Sequence, residues 1–450
     1  MYMKNRIPKM LLTLLSALIC FSCSTNKNES AGTKKDDFTR NAVIYEVNLR
    51  QYTEEGTINA FAEHLPYLKE LGVDILWFMP IHPISELNRK GELGSYYAVK
   101  DYKAVNPEFG TFEDFKKMVN QAHSLGMKVI LDWVANHTGC DHVWLAEHPD
   151  WYEYEDGKLV SPWDWTDTYS LNYDNPEMCA AMIESMKYWM AEAGVDGFRC
   201  DVAFLVPVKF WDMAREELQK VKPIFMLAEA TEKELTDNAF DMVYNWPLLF
   251  MLDNICKGTN NVSDLRELVL KQTSDLAPDA YYMNHVTNHD RNTWDGTEFE
   301  RYGAAVKSFA TLTYVWPGMP LIYTGQEVGM NRRLEFFVKD TPPVKEKNEW
   351  YAFYKSLNDL KHNSKALRAG EQGGEVKVYE TNNENVLVVS RILDNEEILY
   401  IGNISKDEVS FHFTEDAPEG EFENYFTKEK VLVPAELNLA AWDYLLLIKK

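Results

Sequence analysis

The sequence has too little positive charge for a partner that is itself a polyanion. Its 450 residues include 46 lysines and arginines against 70 aspartates and glutamates, a formal net charge of −24 at pH 7. Binding to nucleic acid or docking on an anionic membrane surface needs clustered basic side chains, so no nucleic-acid partner is expected. Hydrophobic residues (46%) and charged residues (26%) occur in ordinary globular proportions, which excludes a disordered or fibrous chain.

Cysteine is scarce and poorly spaced for a metal or redox centre. Six cysteines are present, and no CxxC pair lies beyond residue 23. Zinc-finger and thioredoxin-type sites need such pairs, so neither is expected. One disulfide is compatible with an exported protein, but the sequence does not identify its two cysteines.

Long apolar runs are also missing, with one exception at the N-terminus. Three basic residues precede an apolar run over residues 10–21, which is shorter than a membrane-spanning helix. We interpret residues 1–22 as a lipoprotein signal peptide, because Phe-Ser-Cys at 21–23 resembles the lipobox in which the cysteine becomes the acylated first residue. The alternative is an ordinary cleaved signal with an incidental cysteine at position 23.

The lipobox interpretation predicts where the protein is located. Acylation of Cys23 would anchor an exported protein to the bacterial cell envelope, on either its periplasmic or its surface face. Residues 24–37 contain no large apolar side chain, so residues 23–37 are predicted to be a flexible tether. Membrane contact is therefore expected through the lipid anchor alone.

From residue 41 onward, short apolar runs alternate with amphipathic helical stretches. The runs are 42–47, 73–79, 127–134, 197–202, 224–229, 242–244, 283–287 and 321–323. Eight alternating strand and helix units predict an α/β fold of the (β/α)8 TIM-barrel type. The catalytic barrel is expected over residues 38–371, including a short insertion at 138–172 after the third strand.

Two further segments complete the predicted architecture. Six of the aromatic residues in the insertion are Trp144, Trp151, Tyr152, Tyr154, Trp163 and Trp165. More than half of these six are expected to form the insertion's own small core, and the others could wall a cleft. The helical pattern stops near residue 372, and the apolar runs that follow, at 376–379, 385–391, 398–401 and 444–448, are typical of strands. Residues 372–450 are therefore predicted to form a C-terminal antiparallel β domain.

Polar side chains stand at the ends of four of the predicted strands. The four segments are DWVANH at 132–137, DGFRCD at 196–201, LAEA at 227–230 and TNHD at 287–290. The carboxyl ends of barrel strands meet at one rim, and buried polar groups are costly unless they are paired. Each segment alone also fits a solvated carboxylate or an ion pair, but together they indicate a site on this rim.

Two of these carboxylates are expected in contrasting environments. Side chains alternate along a strand, so Arg199 and Asp201 share one face while Cys200 packs on the other. Arg199 would keep Asp201 ionised, as a nucleophile requires. The apolar residues before Glu229 would raise its pKa toward that of a general acid. Cleavage of a glycosidic bond needs such a pair.

In this order, the blocks DWVANH, GFRCDVA, LAEA and TNHD resemble the four short signature regions of the α-amylase family, glycoside hydrolase family 13. Segments at 72–83, 96–111 and 318–329 are also similar, so the resemblance covers about residues 41–330. It implies Asp201 as nucleophile and Glu229 as general acid/base. Asp290 would be the third carboxylate, which binds and distorts the sugar ring at the cleavage point.

The resemblance also implies which residues bind the substrate and which support the site. The implied substrate-binding residues are Tyr97, His137, Arg199 and His289. The two histidines would hydrogen-bond the sugar, and the arginine would orient the nucleophile. Tyr97 would stack beneath the ring, with the adjacent Tyr96 as the alternative. Asp132 and Asn136 are expected to give structural support to the site rather than to perform chemistry.

Two departures from the family pattern bear on a structural calcium ion. Ser170 stands where many members carry an aspartate ligand. Residues 202–205 replace the Lys-His pair that many α-amylases carry after the nucleophile, whose histidine helps to hold the same ion through its backbone. Both departures argue against calcium at this place, so no metal ligand is assigned, and a structural calcium is left as the less favoured alternative. No other cofactor is implied.

The combined expectation is a retaining glycoside hydrolase that acts through a covalent glycosyl-enzyme. It would cleave α-glucosidic bonds in starch-type glucans or malto-oligosaccharides, with α-1,4 favoured over α-1,6 as the linkage. The retaining mechanism predicts that the carboxyls of Asp201 and Glu229 lie about 5–5.5 Å apart. A transglycosylase or sugar isomerase of the same family would keep the same carboxylates. A non-catalytic glycan-binding lipoprotein is the alternative from another class of protein.

Overall fold

The computed structural model describes residues 39–450. The predicted signal peptide, the tether and Cys23 lie outside the described residues. None of the helices within residues 39–450 is long and apolar enough to cross a membrane.

Eight parallel strands close into a barrel, which confirms the predicted fold. They are β1 (Ile44–Val47), β2 (Ile75–Phe78), β3 (Lys128–Trp133), β4 (Gly197–Cys200), β5 (Phe225–Ala228), β6 (Met242–Tyr244), β7 (Tyr281–Asn284) and β8 (Met319–Tyr323). Neighbours in sequence are neighbours in the barrel, and β1 pairs with both β2 and β8. β7 begins two residues before its predicted start, because Tyr281 and Met283 belong to the barrel interior.

The α-helices surround the barrel or cap its loops. They are Leu49–Tyr52, Ile58–Ala62, Leu65–Leu71, Phe112–Ser124, Val143–Glu147, Pro176–Tyr188, Val208–Gln219, Trp246–Lys257, Val262–Lys271, Glu298–Tyr302, Val306–Val315 and Glu349–Asn363. Local sequence explains several ends. Thr111 and Asp114 form a reciprocal capping box, and Asn175 accepts hydrogen bonds from two amides of the next helix.

Strand alternation separates two apolar layers. Inward-facing residues such as Trp77, Ile130 and Leu227 fill the barrel interior, whereas outward-facing Phe198 and Cys200 pack between the strands and the helices. Arg199, between them in sequence, therefore points toward the barrel axis. Cys200 packs as expected, and the four cysteines of the described part of the chain have free thiols.

The insertion after β3 contains two short antiparallel pairs, His137–Gly139 with Thr168–Ser170 and Tyr154–Glu155 with Lys158–Leu159. The six aromatic residues named from the sequence divide evenly between two environments. Trp144, Trp151 and Tyr152 pack into the main core, while Tyr154 and Trp163 are exposed and Trp165 faces a cavity at the rim. The expected majority in the core is therefore too high.

The C-terminal segment is antiparallel, as predicted. A six-stranded sheet has the order Glu375–Val378, Val386–Leu393, Glu396–Asn403, Tyr444–Lys449, Glu421–Asn424 and Lys430–Leu432, and a separate pair joins Val409–His412 to Glu436–Leu439. Residues 39–450 belong to one compact unit. The boundary between residues 371 and 372 stays a prediction.

Candidate active site

A cavity of about 360 Å3 lies at the carboxyl end of the barrel strands. Of the residues singled out from the sequence, it is lined by Tyr97, His137, Asp201, Glu229, His289 and Asp290. Arg199, Asp132 and Asn136 do not line it. The structure thus brings the three carboxylates together around one cavity and places the proposed supporting residues behind them.

Arg199 joins the two carboxylates that are expected to react. Its Nη1 donates to Asp201 Oδ1 at 2.9 Å and to Asp132 Oδ1 at 2.9 Å, and its Nη2 lies 2.8 Å from Glu229 Oε2. The Nε donates to the Tyr244 hydroxyl at 3.1 Å. One fully buried guanidinium therefore fixes both carboxylates relative to each other.

Asp132 supports the site from below the cavity. Besides accepting from Arg199, its Oδ2 accepts from Trp77 Nε1 at 3.2 Å and from the Tyr97 hydroxyl at 3.1 Å. Tyr97 is thereby held at the cavity wall, whereas Tyr96 is buried away from it and donates to Asn48. Of the two adjacent tyrosines, Tyr97 has the position from which a ring can contact a bound sugar.

His289 is held in place from both sides of its ring. Its Nδ1 lies 2.5 Å from Glu46 Oε1, and its Nε2 lies 2.8 Å from the Tyr97 hydroxyl and 3.4 Å from Asp290 Oδ2. Burial alone would lower the pKa of this imidazole, but Asp290 and Glu46 overcome it and raise the pKa to about 9. At neutral pH His289 is therefore a cationic hydrogen-bond donor.

Glu229 is positioned by a strained turn that follows β4. Val202, a β-branched residue, has φ 37° and ψ 47° in the left-handed region, which such side chains rarely adopt. In this conformation its amide donates to Glu229 Oε2 at 2.9 Å, and the Ala203 amide donates to the Glu229 carbonyl at 3.2 Å. The strain also explains why β4 ends at Cys200, before its predicted end.

Burial decides the protonation of the two carboxylates on Arg199. It raises the pKa of Asp201 to about 6 and that of Glu229 to about 7, with Arg199 opposing the shift in both. The expected rise at Glu229 is present. Asp201 does not have the low pKa that the adjacent arginine alone would produce, because burial outweighs the arginine and the nearby Asp132 carboxylate raises the pKa further. At a pH between the two values, Asp201 is the more ionised group and Glu229 the more protonated.

His137 and Asn136 lie at the start of the insertion. His137 lines the cavity, where its ring packs 5.3 Å from that of Trp165, and burial lowers its pKa to about 3, so it is neutral. Asn136 Nδ2 lies 3.2 Å from His137 Nδ1, and its carbonyl accepts from the Leu171 amide at 3.1 Å. Asn136 thus contacts the His137 ring and does not itself line the cavity.

Ser170, at the position where a calcium ligand was considered, does not supply the carboxylate that the family pattern has there. Ser170 is part of the short ladder with His137 and offers no carboxylate, whereas calcium is bound by several charged or carbonyl oxygens. Within residues 39–450 no group of three or more His, Cys, Asp or Glu side chains could hold a metal ion. No step of the chemistry is assigned to a metal.

Two residues that support the site, Glu46 and Tyr244, were not predicted from the sequence. Glu46 interrupts the apolar run of β1 and is fully buried. A polar residue within an apolar strand is the same kind of signal as the polar residues at the four strand ends described above, so Glu46 could have been identified in this way. Tyr244 ends β6 and gave no signal, because a tyrosine in an apolar strand is typical of a core. The loops that contribute Lys90, Trp294 and Phe336 to the cavity also gave none.

Comparisons with known proteins agree with this geometry. The family model for the α-amylase catalytic domain matches residues 21–170 and 163–369. The chain is 26% identical to α-amylase 3 of Dictyoglomus thermophilum over 84% of its own length and 88% of that protein. Among solved structures, a maltogenic α-amylase of Thermotoga neapolitana is similar with a TM-score of 0.82 and 28% identity, covering 91% of this chain and 98% of that one.

An α-amylase of Lactobacillus plantarum is similar as well, with a TM-score of 0.80 and 31% identity over 91% of this chain and 99% of that one. The family model covers well over half of the chain, and these relatives match nearly its whole described length. The barrel, the clustered carboxylates and the matched sequence lead to one assignment: the chain belongs to the α-amylase family, glycoside hydrolase family 13, and is an α-amylase-type glycosidase.

Proposed function

We propose that the protein is a retaining glycosidase that cleaves α-1,4-glucosidic bonds of malto-oligosaccharides or starch-type glucans. The α-1,4 linkage is supported by the names of several relatives, α-amylases and maltogenic α-amylases, while other relatives are named oligo-1,6-glucosidases. The mechanism is supported by the pair of carboxylates on Arg199, each at a hydrogen-bonding distance from a different guanidinium nitrogen. That pairing is the single observation on which the proposal depends most.

In the first step, Glu229 donates its proton to the glycosidic oxygen while Asp201 Oδ attacks the anomeric carbon. The bond to the leaving sugar breaks, and a covalent glycosyl-enzyme forms. Arg199 and Asp132 fix the attacking carboxylate, and the Val202 amide fixes the acid. The pKa of about 7 for Glu229 gives it a proton to donate near neutral pH.

In the second step, the ionised Glu229 removes a proton from water, which attacks the same carbon and releases Asp201. Retention of the anomeric configuration follows from two inversions. Asp290 and the cationic His289 line the cavity where they can hydrogen-bond the hydroxyls of the reacting sugar. Tyr97 presents its ring to the same space.

A product profile on starch, pullulan and cyclodextrins tests the proposal. Reducing ends should appear with time on at least one α-1,4-glucan, and Asp201→Asn should abolish them. A transglycosylase would give longer sugars instead, and an isomerase would give rearranged sugars without new ends. Binding of starch without any new reducing ends would contradict catalysis and favour the glycan-binding alternative.

We also propose that Cys23 carries a lipid that anchors the protein to the cell envelope. The support is the sequence at 21–23 and the apolar run that precedes it. In a bacterial host, the full-length chain should partition with membranes, and Cys23→Ser should release it to the soluble fraction. Partition of both forms with the soluble fraction would contradict the anchor and leave the catalytic proposal unaffected.

A further inference from the structure

Three loops that originate on different strands meet beside the catalytic residues. They are the β2 loop (residues 86–95), the tip of the insertion (residues 163–168) and the β8 loop at Phe336 and Phe337. Each contributes to the lining of the 360 Å3 cavity. The sequence led us to expect that aromatic residues of the insertion could wall a cleft, but not the contacts between the three loops, because these contacts join segments that are far apart along the chain.

The β2 loop is tied to the insertion by polar contacts. Lys90 Nζ lies 3.1 Å from Asp167 Oδ1 and donates to the Asp164 carbonyl at 3.4 Å. Asn88 Nδ2 donates to the Thr166 carbonyl at 3.3 Å. Lys90 and Asp167 both line the cavity, and only 4% of the Asp167 side chain is exposed. The Lys90–Asp167 ion pair is therefore part of the cavity wall.

On its other side, the β2 loop is tied to the β8 loop. The Leu93 amide donates to the Phe337 carbonyl at 2.8 Å. A Cβ at Gly91, which has φ 64°, would lie 2.4 Å from Phe337 Cβ, so the two loops are in close contact. The fully buried Arg50 donates to the carbonyls of Gly94 and Phe336 at 3.3 and 3.1 Å. The wall is thus continuous from the β8 loop to the insertion.

The order of the barrel strands places this wall on a definite side of the reacting bond. Glu229 follows β5, which lies across the barrel from β1, whereas the wall is built around β1 by the loops of β8, β2 and β3. A general acid must face the leaving group. The leaving sugar therefore lies toward Glu229, and the wall stands at the opposite, glycone end of the cavity.

We propose that the Lys90–Asp167 ion pair closes the glycone end of the cavity, so that the enzyme cleaves from the non-reducing end of short malto-oligosaccharides. This inference rests on the proposed function and adds the substrate class and the direction of attack. A cavity of about 360 Å3 is at the small end of ligand sites, which span roughly 300–1,000 Å3. On this proposal, a glucan chain that continued past the reacting sugar on the glycone side would collide with the wall.

Two forms of reducing-end-labelled maltoheptaose test the inference, one with a free non-reducing end and one whose terminal O4 and O6 are blocked by a cyclic acetal. Chromatography of labelled products gives the initial rate for each. The wild-type enzyme should cleave the blocked form at least tenfold more slowly. Lys90→Ala, which removes the ion pair, should raise the blocked-to-free ratio by at least tenfold.

Lys100→Ala is the matched control. Lys100 also ties the β2 loop to the insertion, through Glu86 at 3.0 Å and Asp141 at 3.4 Å, and its exposure (32%) is close to that of Lys90 (35%). It does not line the cavity, so its loss should leave the ratio unchanged. Asp167→Asn, which keeps the shape of the side chain, repeats the test in case Lys90→Ala does not fold.

The outcomes separate the two proposals. Equal wild-type rates on the blocked and free forms would overturn the closed glycone end and leave the glycosidase intact. An unchanged ratio in folded Lys90→Ala and Asp167→Asn would show that this ion pair is not the barrier, which also overturns the inference. No cleavage of either form by the wild-type enzyme would overturn the proposed function itself.

Discussion

An aspartate lies at each end of strand β4, Asp196 before it and Asp201 after it. The two carboxylates differ in their cationic partners and in the direction of their pKa shifts. Asp196, just before the strand, accepts from His123 Nε2 at 2.6 Å and from the Val129 amide at 3.0 Å. The ammonium groups of Lys128 and Lys222 lie 3.3 and 3.6 Å away. Burial would raise the pKa of Asp196, but these donors and cations hold it below its usual value.

Asp201, just after the same strand, has fewer cationic partners. Its contact is with Arg199, which also serves Asp132 and Glu229, and burial therefore raises its pKa to about 6. A buried carboxylate with several cationic partners stays ionised and stabilises the fold. A buried carboxylate with few cationic partners has a raised pKa, so it can exchange a proton or act as a nucleophile near neutral pH. The comparison indicates that the amino end of the barrel provides stability and the carboxyl end provides chemistry.

The largest expected effect is on catalysis. Asp201→Asn removes the nucleophile and should lower kcat on maltoheptaose by at least about 10³-fold, as loss of a nucleophile does in other hydrolases. Asp196→Asn makes the same chemical change at the other end of β4 and should leave kcat within about twofold, because it does not touch the site. Initial rates of reducing-end release measure both. A comparable loss in both variants would break the comparison.

The second effect is on the free energy of unfolding. Here Asp196→Asn should have the larger effect and Asp201→Asn the smaller one. Asp196→Asn should destabilise the protein by about 2 kcal/mol, less than the roughly 3–5 kcal/mol for a fully buried ion pair, because its lysine partners are partly exposed. Asp201→Asn should be neutral or stabilising, since it removes a charge that the fold buries with a shared partner. Urea unfolding of the two variants is the measurement. Greater destabilisation by Asp201→Asn would be the contrary result.

The third effect is on pH dependence: that of catalysis at the carboxyl end of β4 and that of stability at its amino end. Catalysis needs an ionised Asp201 and a protonated Glu229, so kcat/KM should be bell-shaped with limbs near pH 6 and pH 7. The lowered pKa of Asp196 gives stability that is present above its usual pKa of 3.8 and is lost as the pH falls through its lower folded value. Asp196→Asn should flatten the stability profile in acid without moving the activity profile. A shifted activity profile in this variant would contradict the separation.

The smallest expected effect concerns Tyr244, which accepts from Arg199 Nε. Tyr244→Phe should lower kcat by about tenfold, corresponding to about 1.4 kcal/mol, because the guanidinium that holds both carboxylates loses one partner. It should also shift the limbs of the pH profile, which a purely structural change would not do. Tyr281→Phe, at the amino end of the barrel interior, is the control and should change neither.

The sequence predicts most of the barrel because each strand is a short apolar run followed by a helical pattern. It predicts the carboxyl-end residues because Asp201, Glu229 and Asp290 stand where apolar runs end. Strands such as Val409–His412 and Lys430–Leu432 were not predicted, because segments of four and three residues are too short for their pattern to stand out from the surrounding sequence.

Other features depend on contacts between distant segments and could not be read from a local pattern. The pKa of Asp201 is raised by burial and by the nearby Asp132 carboxylate against the effect of Arg199, and the left-handed Val202 directs its amide at Glu229, which lies 27 residues further along the chain. The wall formed by Lys90 and Asp167 joins segments that are 77 residues apart. Loop contacts of this kind follow from the tertiary structure alone.

The stereochemistry of cleavage tests the central claim most directly. Proton NMR during the first minutes of maltoheptaose hydrolysis, before mutarotation, resolves the anomer of the newly formed reducing end. The proposed covalent intermediate on Asp201 predicts that the α-anomer appears first, because two inversions restore the configuration of the substrate. Initial release of the β-anomer would show direct attack by water and would contradict a covalent intermediate on Asp201.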